Sequence, residues 1–311
     1  KIYKNLEFYT EYGIRRQTHL NCFFMLIDLQ VHSTYSDGYF TPSQLVDFLS
    51  ANNVKIASLT DHNTVGGLDE FNLACQKKKI KTINGLELYV KVNRKRFNLL
   101  WYNFDQRRPE LHSLLRNSQS RRRRKIREAL LKLKEQHFQI NEIALLDKFK
   151  NYIPINHIID YIFKIPFNKK IIIQKLKIRN PSQEEILKSV FKNPALTKVN
   201  ESYIGLDQVL KLKKIIGGQL ILNHPGKYNQ LNRDFISKIK KLGISGMEVL
   251  TPHHSIGAIM YAQRLAREYK LIMTGGSDFH LSETSSAALK NCYNYFKIDS
   301  QYLAGIKKII G

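Results

Sequence analysis

The sequence predicts an α/β protein, a parallel barrel or open sheet, interrupted by a mostly helical insertion. Three observations predict it. Seven short apolar runs are spread over the outer thirds of the 311 residues, each of a length suited to a buried parallel strand. Helical patterns lie between several of them, the alternation that covers a parallel sheet with helices. The middle third breaks this rhythm and holds most of the excess charge. The net charge is +24, of which +17 lies in residues 91–200, +7 in residues 201–311 and none in residues 1–90.

Taken in order, the chain opens with KIYKNLEFYTEYGIRRQTHLNCFF, whose apolar core, Cys22 to Phe24, is too short for a signal peptide. Met25 is read as the natural start and residues 1–24 as an upstream extension, the alternative being a genuine N-terminal arm. The first strand is expected over Met25–Val31. Thr41-Pro42 then opens a helix, with proline suited to its first turn and Leu45, Val46, Phe48 and Leu49 forming its apolar face. Further strands are expected over Val54–Thr60, Ile80–Leu88 and Phe97–Tyr102. The first part of the barrel therefore spans residues 25–104.

The insertion, residues 105–203, begins with the charge run RNSQSRRRRKIREALLKLKEQ. Ile126, Leu130 and Leu133 recur at helical spacing, so the arginines are read as opening an amphipathic helix and lining its exposed side. Two more helices are expected around Asn141–Phe149 and Ile155–Phe163. The second part of the barrel, residues 204–311, holds strands over Gln219–Asn223, Gly246–Leu250 and Leu271–Thr274, with a helix from Ser255 to Tyr269. No apolar run is long enough to cross a bilayer. Cys22, Cys75 and Cys292 are scattered and lack CxxC spacing. They read as free thiols of a reducing, cytoplasmic compartment.

In parallel α/β architectures the binding residues gather at the C-terminal ends of the strands. Gln30, His32 and Asp37 follow the first strand, Asp61 and His62 the second, and Glu87 lies near the end of the third. His224 follows a later strand. Glu248, His253 and His254 belong to the next, and Asp278 and His280 to the last. One histidine at a strand end is most often structural. Histidine, aspartate and glutamate recurring at the same end of five strands instead point to a multinuclear site for zinc, manganese or iron.

The ordered stretches DLQVHSTYSDG, LTDHNTVGG, GLE, NHPGKYN and GGSDFH resemble the motifs of the PHP (polymerase and histidinol phosphatase) superfamily of metal-dependent phosphoesterases. The insertion before HPG and the wording HPGKYN are most similar to its YciV/TrpH branch, nucleoside 3′,5′-bisphosphate phosphatases and 5′→3′ exonucleases acting on short RNA. The resemblance implies a distorted (β/α)7 barrel, two or three divalent metals (Mn, Zn, Fe or Mg) and an insertion that caps the site. The family pattern falls on His32, Asp37, His62, Glu87, His224, Asp278 and His280. It also implies a ligand at Gln30, where the family writes D-L-H-x-H, and Asn98 stands at the position of another ligand histidine.

An amide oxygen is a harder, weaker donor than imidazole. Two of the implied positions therefore lose a nitrogen ligand: one held by the HxH pair, Glu87 and Asp278, the other by position 98, Glu87 and His224. The third, Asp37 with His62 and His280, keeps its full set. Affinity is expected to be uneven and shifted towards manganese or magnesium. The catalytic groups are expected to be the metal ligands alone, activating water. His157, Arg121, Arg124 and His254 are expected to contact substrate, with Ile155 standing where the branch carries an arginine, and Glu248 is expected to be structural.

The expected function is phosphoester hydrolysis of nucleoside 3′,5′-bisphosphates or short oligoribonucleotides. A basic cap favours substrates with several phosphates over one. The alternative is a catalytically impaired PHP protein acting as a basic nucleic-acid-binding module, which Gln30 and Asn98 favour. No feature calls for a membrane or an obligate protein partner.

Overall fold

A computed structural model describes residues 25–197, 199–280 and 298–311. The extension read over residues 1–24, with Cys22, and also Cys292 lie outside the described residues. Strand β1 (Leu26–Val31) leads to helix α1 (Pro42–Ala51), then β2 (Ile56–Leu59) and α2 (Leu68–Lys77). Thr41 caps α1 through a reciprocal box with Gln44, and Pro42 fills its first turn.

The run Ile80–Leu88, read as one strand, is two: β3 (Lys81–Thr82) and the longer β4 (Gly85–Val92). The break falls at Ile83 and Asn84, and β4 opens on Gly85, where any side chain would collide with the Ser58 hydroxyl and the Leu59 carbonyl. Strand β5 (Lys95–Tyr102) returns through a two-residue turn at Asn93-Arg94, with Asn93 in the left-handed region at φ 54°. It therefore runs antiparallel to β4, against the expectation of an all-parallel set. An apolar run carries no mark of direction, and the polar turn that reverses the chain sits inside a basic stretch.

The next segment holds α3 (Pro109–Glu135), α4 (Glu142–Asp147), α5 (Ile155–Lys164), α6 (Pro166–Leu176) and α7 (Gln183–Ile186), followed by a π turn, Leu187–Phe191. Helix α3 starts well before the arginine run, at Pro109. Its buried stripe is Leu111, Leu115, Ser118, Arg122, Ile126, Leu130 and Leu133. The arginines do not all face solvent: Arg122 lies on the stripe and is 1% exposed. The helices enclose a core of their own, including Ile126, Leu130, Ile153, Ile159 and Phe191, separate from the main one.

The chain then forms β6 (Ile204–Gly205), α8 (Leu206–Ile216), β7 (Gln219–Leu222), α9 (Arg233–Lys241), β8 (Gly246–Leu250), α10 (Ile256–Glu268), β9 (Ile272–Gly275), β10 (Ile298–Asp299) and α11 (Lys307–Ile310). The strands lie in two sheets, ordered β10-β1-β2-β3 and β6-β4-β5-β7-β8-β9. Two bridges join the sheets at one rim, Val31 to Phe279 and His62 to Glu87. His32 N donates to Phe279 O (3.0 Å), and Asn63 N donates to Glu87 O (2.8 Å). Seven strands, β1, β2, β4, β5, β7, β8 and β9, thus follow one another across two sheets bridged at that rim.

Candidate metal centre

The rim where the sheets join is also where their polar residues meet. Gln30 and His32 end β1, Asp37 lies in the loop that follows, and His62 follows β2. Glu87 points inward from the middle of β4. Asn98 reaches the same rim from the first half of β5, because an antiparallel strand enters where parallel ones leave. His224 follows β7, and Asp278 and His280 follow β9. Two of these, His224 (φ 25°) and Asp278 (φ 50°), hold backbone conformations that side chains other than glycine seldom adopt.

Two groups of donor atoms lie within 4.8 Å of one another: His32, Asp37, His62 and His280, and His32, Glu87 and Asp278. In the first, His280 Nε2 is 3.1 Å from Asp37 Oδ1 and His62 Nε2 is 3.4 Å from Asp37 Oδ2. In the second, His32 Nε2 lies 3.1 Å from Asp278 Oδ1 and 3.2 Å from Glu87 Oε2. His224 Nε2 is 3.5 Å from Glu87 Oε1. Asn98 also meets Glu87: its amide donates to Oε1 at 2.6 Å. Gln30 Nε2 donates to Asp278 Oδ1 (2.8 Å) and to Glu87 Oε2 (3.4 Å).

Electrostatics follow from this crowding. Burial alone would neutralise His32, yet hydrogen bonds and charge from Asp278 and Glu87 together hold its imidazole well above the usual range. Burial opposes ionisation of Asp37, Glu87 and Asp278 too, but the surrounding histidines hold all three well below theirs. Burial, reinforced by the Asp278 charge, drives Glu248 well above its ordinary value. Its Oε2 accepts the backbone N–H of His224 at 3.1 Å. The residues fit divalent cations: His62 Nδ1 is buried without a hydrogen-bond partner 3.5 Å from Glu87 Oε2, and His224 turns its Nε2 to the same carboxylate.

Two aspartates fix the loops: Asp61, read from the sequence as one of the strand-end residues, and Asp28, which was not. Asp61 accepts from Ser33 N (2.8 Å), Ser33 Oγ (2.6 Å) and Ser36 Oγ (2.5 Å), tying the His32–Asp37 loop to β2. Asp28 does the same for the β9 loop, accepting from Ser277 N (2.9 Å) and Ser277 Oγ (2.6 Å). Gly276 packs so tightly on Gln30 that no Cβ would fit.

The residues expected to meet substrate fall differently. His157 Nε2 lies 3.0 Å from Gly38 O and Asn156 Nδ2 donates to Asp37 O (2.8 Å), so α5 grips the backbone of the Asp37 loop. Arg121 points its donors at Ser202 Oγ (3.2 Å) and Tyr203 O (3.4 Å), while Arg124 is exposed. His254 is buried, with Nδ1 2.9 Å from Val249 O and Nε2 accepting from Gly226 N. Both of its ring nitrogens are thus taken by backbone. Its neighbour His253 instead reaches the centre, Nε2 2.5 Å from Asp278 Oδ2. Adjacent residues leaving a strand point to opposite sides, so HisHis signals that one ring faces inward without saying which. Arg122 was hidden in the charge run. Its Nη1 pairs with Glu201 Oε1 at 3.0 Å and its guanidinium lies 5.3 Å over the Tyr152 ring.

Residues 28–309 match the model of the PHP domain family. The chain is 24% identical over 260 residues to a phosphoribosyl 1,2-cyclic phosphate 1,2-diphosphodiesterase of Eggerthella lenta, covering 82% of this chain and 94% of that one. It is 26% identical to a 5′-3′ exoribonuclease of Haemophilus influenzae, covering 81% and 89%. To a 3′,5′-nucleoside bisphosphate phosphatase of Chromobacterium violaceum it is 25% identical, covering 82% and 87%. A solved structure from Bifidobacterium adolescentis, described as a metal-dependent phosphoesterase, shares the fold at TM-score 0.69 and 20% identity, covering 84% and 90%. Matched by the family model along nearly its whole length, with histidine and carboxylate donors gathered at one rim of its sheets, this chain belongs to the PHP domain family.

Proposed function

We propose that the chain is a metal-dependent phosphoric ester hydrolase acting on nucleoside 3′,5′-bisphosphates or short oligoribonucleotides. The observation that carries this reading is the set Asp37, His62 and His280 beside His32, with donor atoms within 4.8 Å of one another, His32 and His62 buried and Asp37 and His280 partly open. The family arrangement implies two or three divalent cations, held by these residues together with Gln30, Glu87, His224 and Asp278. Cations bound there supply an activated water at neutral pH and offset charge on the phosphoryl oxygens. The chain's own part is orientation. Asp61 and Asp28 fix the two loops that bear Asp37 and Asp278, and α5 grips the backbone at Asp37 and Gly38.

The helical segment, residues 105–203, serves as a basic cap. Its net charge is +12, residues 91–104 before it add +4, and this excess favours a substrate with more than one phosphate. Two relatives named for a nucleoside bisphosphate phosphatase and an exoribonuclease support the same substrate class. The test is phosphate release from a nucleoside 3′,5′-bisphosphate and a short 5′-phosphorylated RNA in Mn²⁺, against histidinol phosphate. Faster turnover of histidinol phosphate overturns the substrate assignment. A basic nucleic-acid-binding module without turnover is the second reading, favoured by the amides at 30 and 98. RNA binding with no phosphate release would select it.

A further inference from the structure

The two halves of the centre differ in chemistry. Around Asp37 every donor is an imidazole or a carboxylate. Around Glu87 three carboxamides join the imidazoles of His32, His62 and His224. Asn98 Nδ2 (2.6 Å) and Asn223 Nδ2 (2.7 Å) both donate to Glu87 Oε1, and Gln30 Nε2 stands between Glu87 Oε2 and Asp278 Oδ1. Asn223 was not among the residues expected at the site. All four side chains are buried.

An amide nitrogen has its lone pair delocalised into the carbonyl and cannot ligate a cation. Only the amide oxygen can. The oxygens of Gln30 and Asn223 are buried without a hydrogen-bond partner, and it is the nitrogens that lie within hydrogen-bond distance of the carboxylates. Turning the Gln30 amide over would set its oxygen against Glu87 and Asp278, which is repulsive unless a cation enters at the same moment. The N–H groups already do what a cation would do there: they hold the ionised carboxylates by charge-assisted hydrogen bonds. His32 Nε2 and His62 Nδ1 (3.5 Å) approach the remaining oxygen of Glu87. A carboxylate offers about four lone-pair sites, and amide N–H groups of Gln30, Asn98 and Asn223 occupy three of those on Glu87.

We infer that this chain binds a single divalent cation, in the pocket of Asp37, His62 and His280 beside His32, and that the carboxamides of Gln30, Asn98 and Asn223 replace further cations around Glu87. The inference rests on the metal-dependent reading of the centre and narrows its count from two or three to one. It makes Gln30 and Asn98 adaptations rather than losses: one pocket is kept intact while the other becomes a hydrogen-bonded wall that takes no cation.

The experiment is elemental analysis of full-length protein after equilibration with Mn²⁺ in modest excess and removal of free ion, with electron paramagnetic resonance on the same samples. The expected result is one Mn²⁺ per chain, with the resolved hyperfine lines of an isolated ion. Asp37→Asn should bind none. Gln30→His with Asn98→His should bind at least two and show the exchange-coupled spectrum of neighbouring ions. Two or three ions in the parent chain, or none, overturns the inference, as does a coupled spectrum in the parent. So does a folded double variant, checked by circular dichroism, that still binds one. Phosphate release measured alongside keeps the two readings apart. One ion without turnover leaves this inference standing and sinks the hydrolase. Turnover with two or three ions does the reverse.

Discussion

Substituting Glu87→Gln in metal-free protein separates two pictures of the centre by the sign of its effect. In a site whose carboxylates await cations, removing one negative charge relieves repulsion and stabilises the empty protein. Here Glu87 is already held. Its Oε1 accepts two close amide N–H groups, at 2.6 and 2.7 Å, and its Oε2 faces His32 Nε2 at 3.2 Å. A hydrogen bond to a charged group is worth about 1.5–3 kcal/mol, and a neutral one about half that, so neutralising Glu87 removes about 1 kcal/mol from each of the two amide bonds. The new amide N–H then meets other donors on one side or the other, leaving a buried group unsatisfied at about 1–3 kcal/mol. The expected loss is about 3–5 kcal/mol. The chain's one tryptophan, Trp101, is fully buried on β5, the strand that carries Asn98, and reports unfolding there. With a urea slope of about 2–3 kcal/mol per molar, the chelator-treated variant should unfold about 1–2 M earlier at pH 7. A midpoint equal to or above that of the parent refutes the reasoning.

Three further outcomes follow from the same contacts. Arg122→Met should destabilise the helical segment by about 2–4 kcal/mol, since it strands the Glu201 carboxylate, and Glu201→Gln in the same chain should recover part of the loss; a double-mutant cycle on urea midpoints with no coupling contradicts this. Burial pushes the Cys75 thiol up to about 12, so a thiol reagent at pH 8 should modify it only after denaturant is added, as read by mass mapping of its peptide. In metal-free protein, His32 and His62 carry raised values. Their contribution to stability is complete below about pH 6.5 and fades as pH rises through those folded values. Asp37, Glu87 and Asp278 carry lowered values. Theirs is present above about pH 4 and fades as pH falls through the folded values. Thermal melts across pH should show both flanks, and a melting temperature still rising through pH 8 contradicts the first.

Much of the site was legible because ligand-type side chains mark strand ends whichever way the rest of the sheet is built. His32, His62 and Asp278 stand at breaks from apolar to polar sequence, and the structure brings them to one rim. Direction was not legible. The return of β5 depends on a turn at Asn93-Arg94 set among lysines and arginines, where charge hides the hairpin. Nor was orientation inside a uniform run. Arg122 differs from Arg121 and Arg124 only by its phase on α3, which shows once the helix is known to begin at Pro109. Asn223 passed unnoticed because an asparagine before a histidine carries no signal until β7 sets its amide against Glu87. The same holds for His253 and His254, whose roles depend on how the chain leaves β8.

The measurement that meets the central claim most directly is anomalous X-ray scattering at the manganese edge from crystals equilibrated with Mn²⁺. The expected result is a peak within coordinating distance of Asp37, His62 and His280, lost in Asp37→Asn. Crystals with no peak at this rim, or with scattering only at surface carboxylates elsewhere, would contradict it.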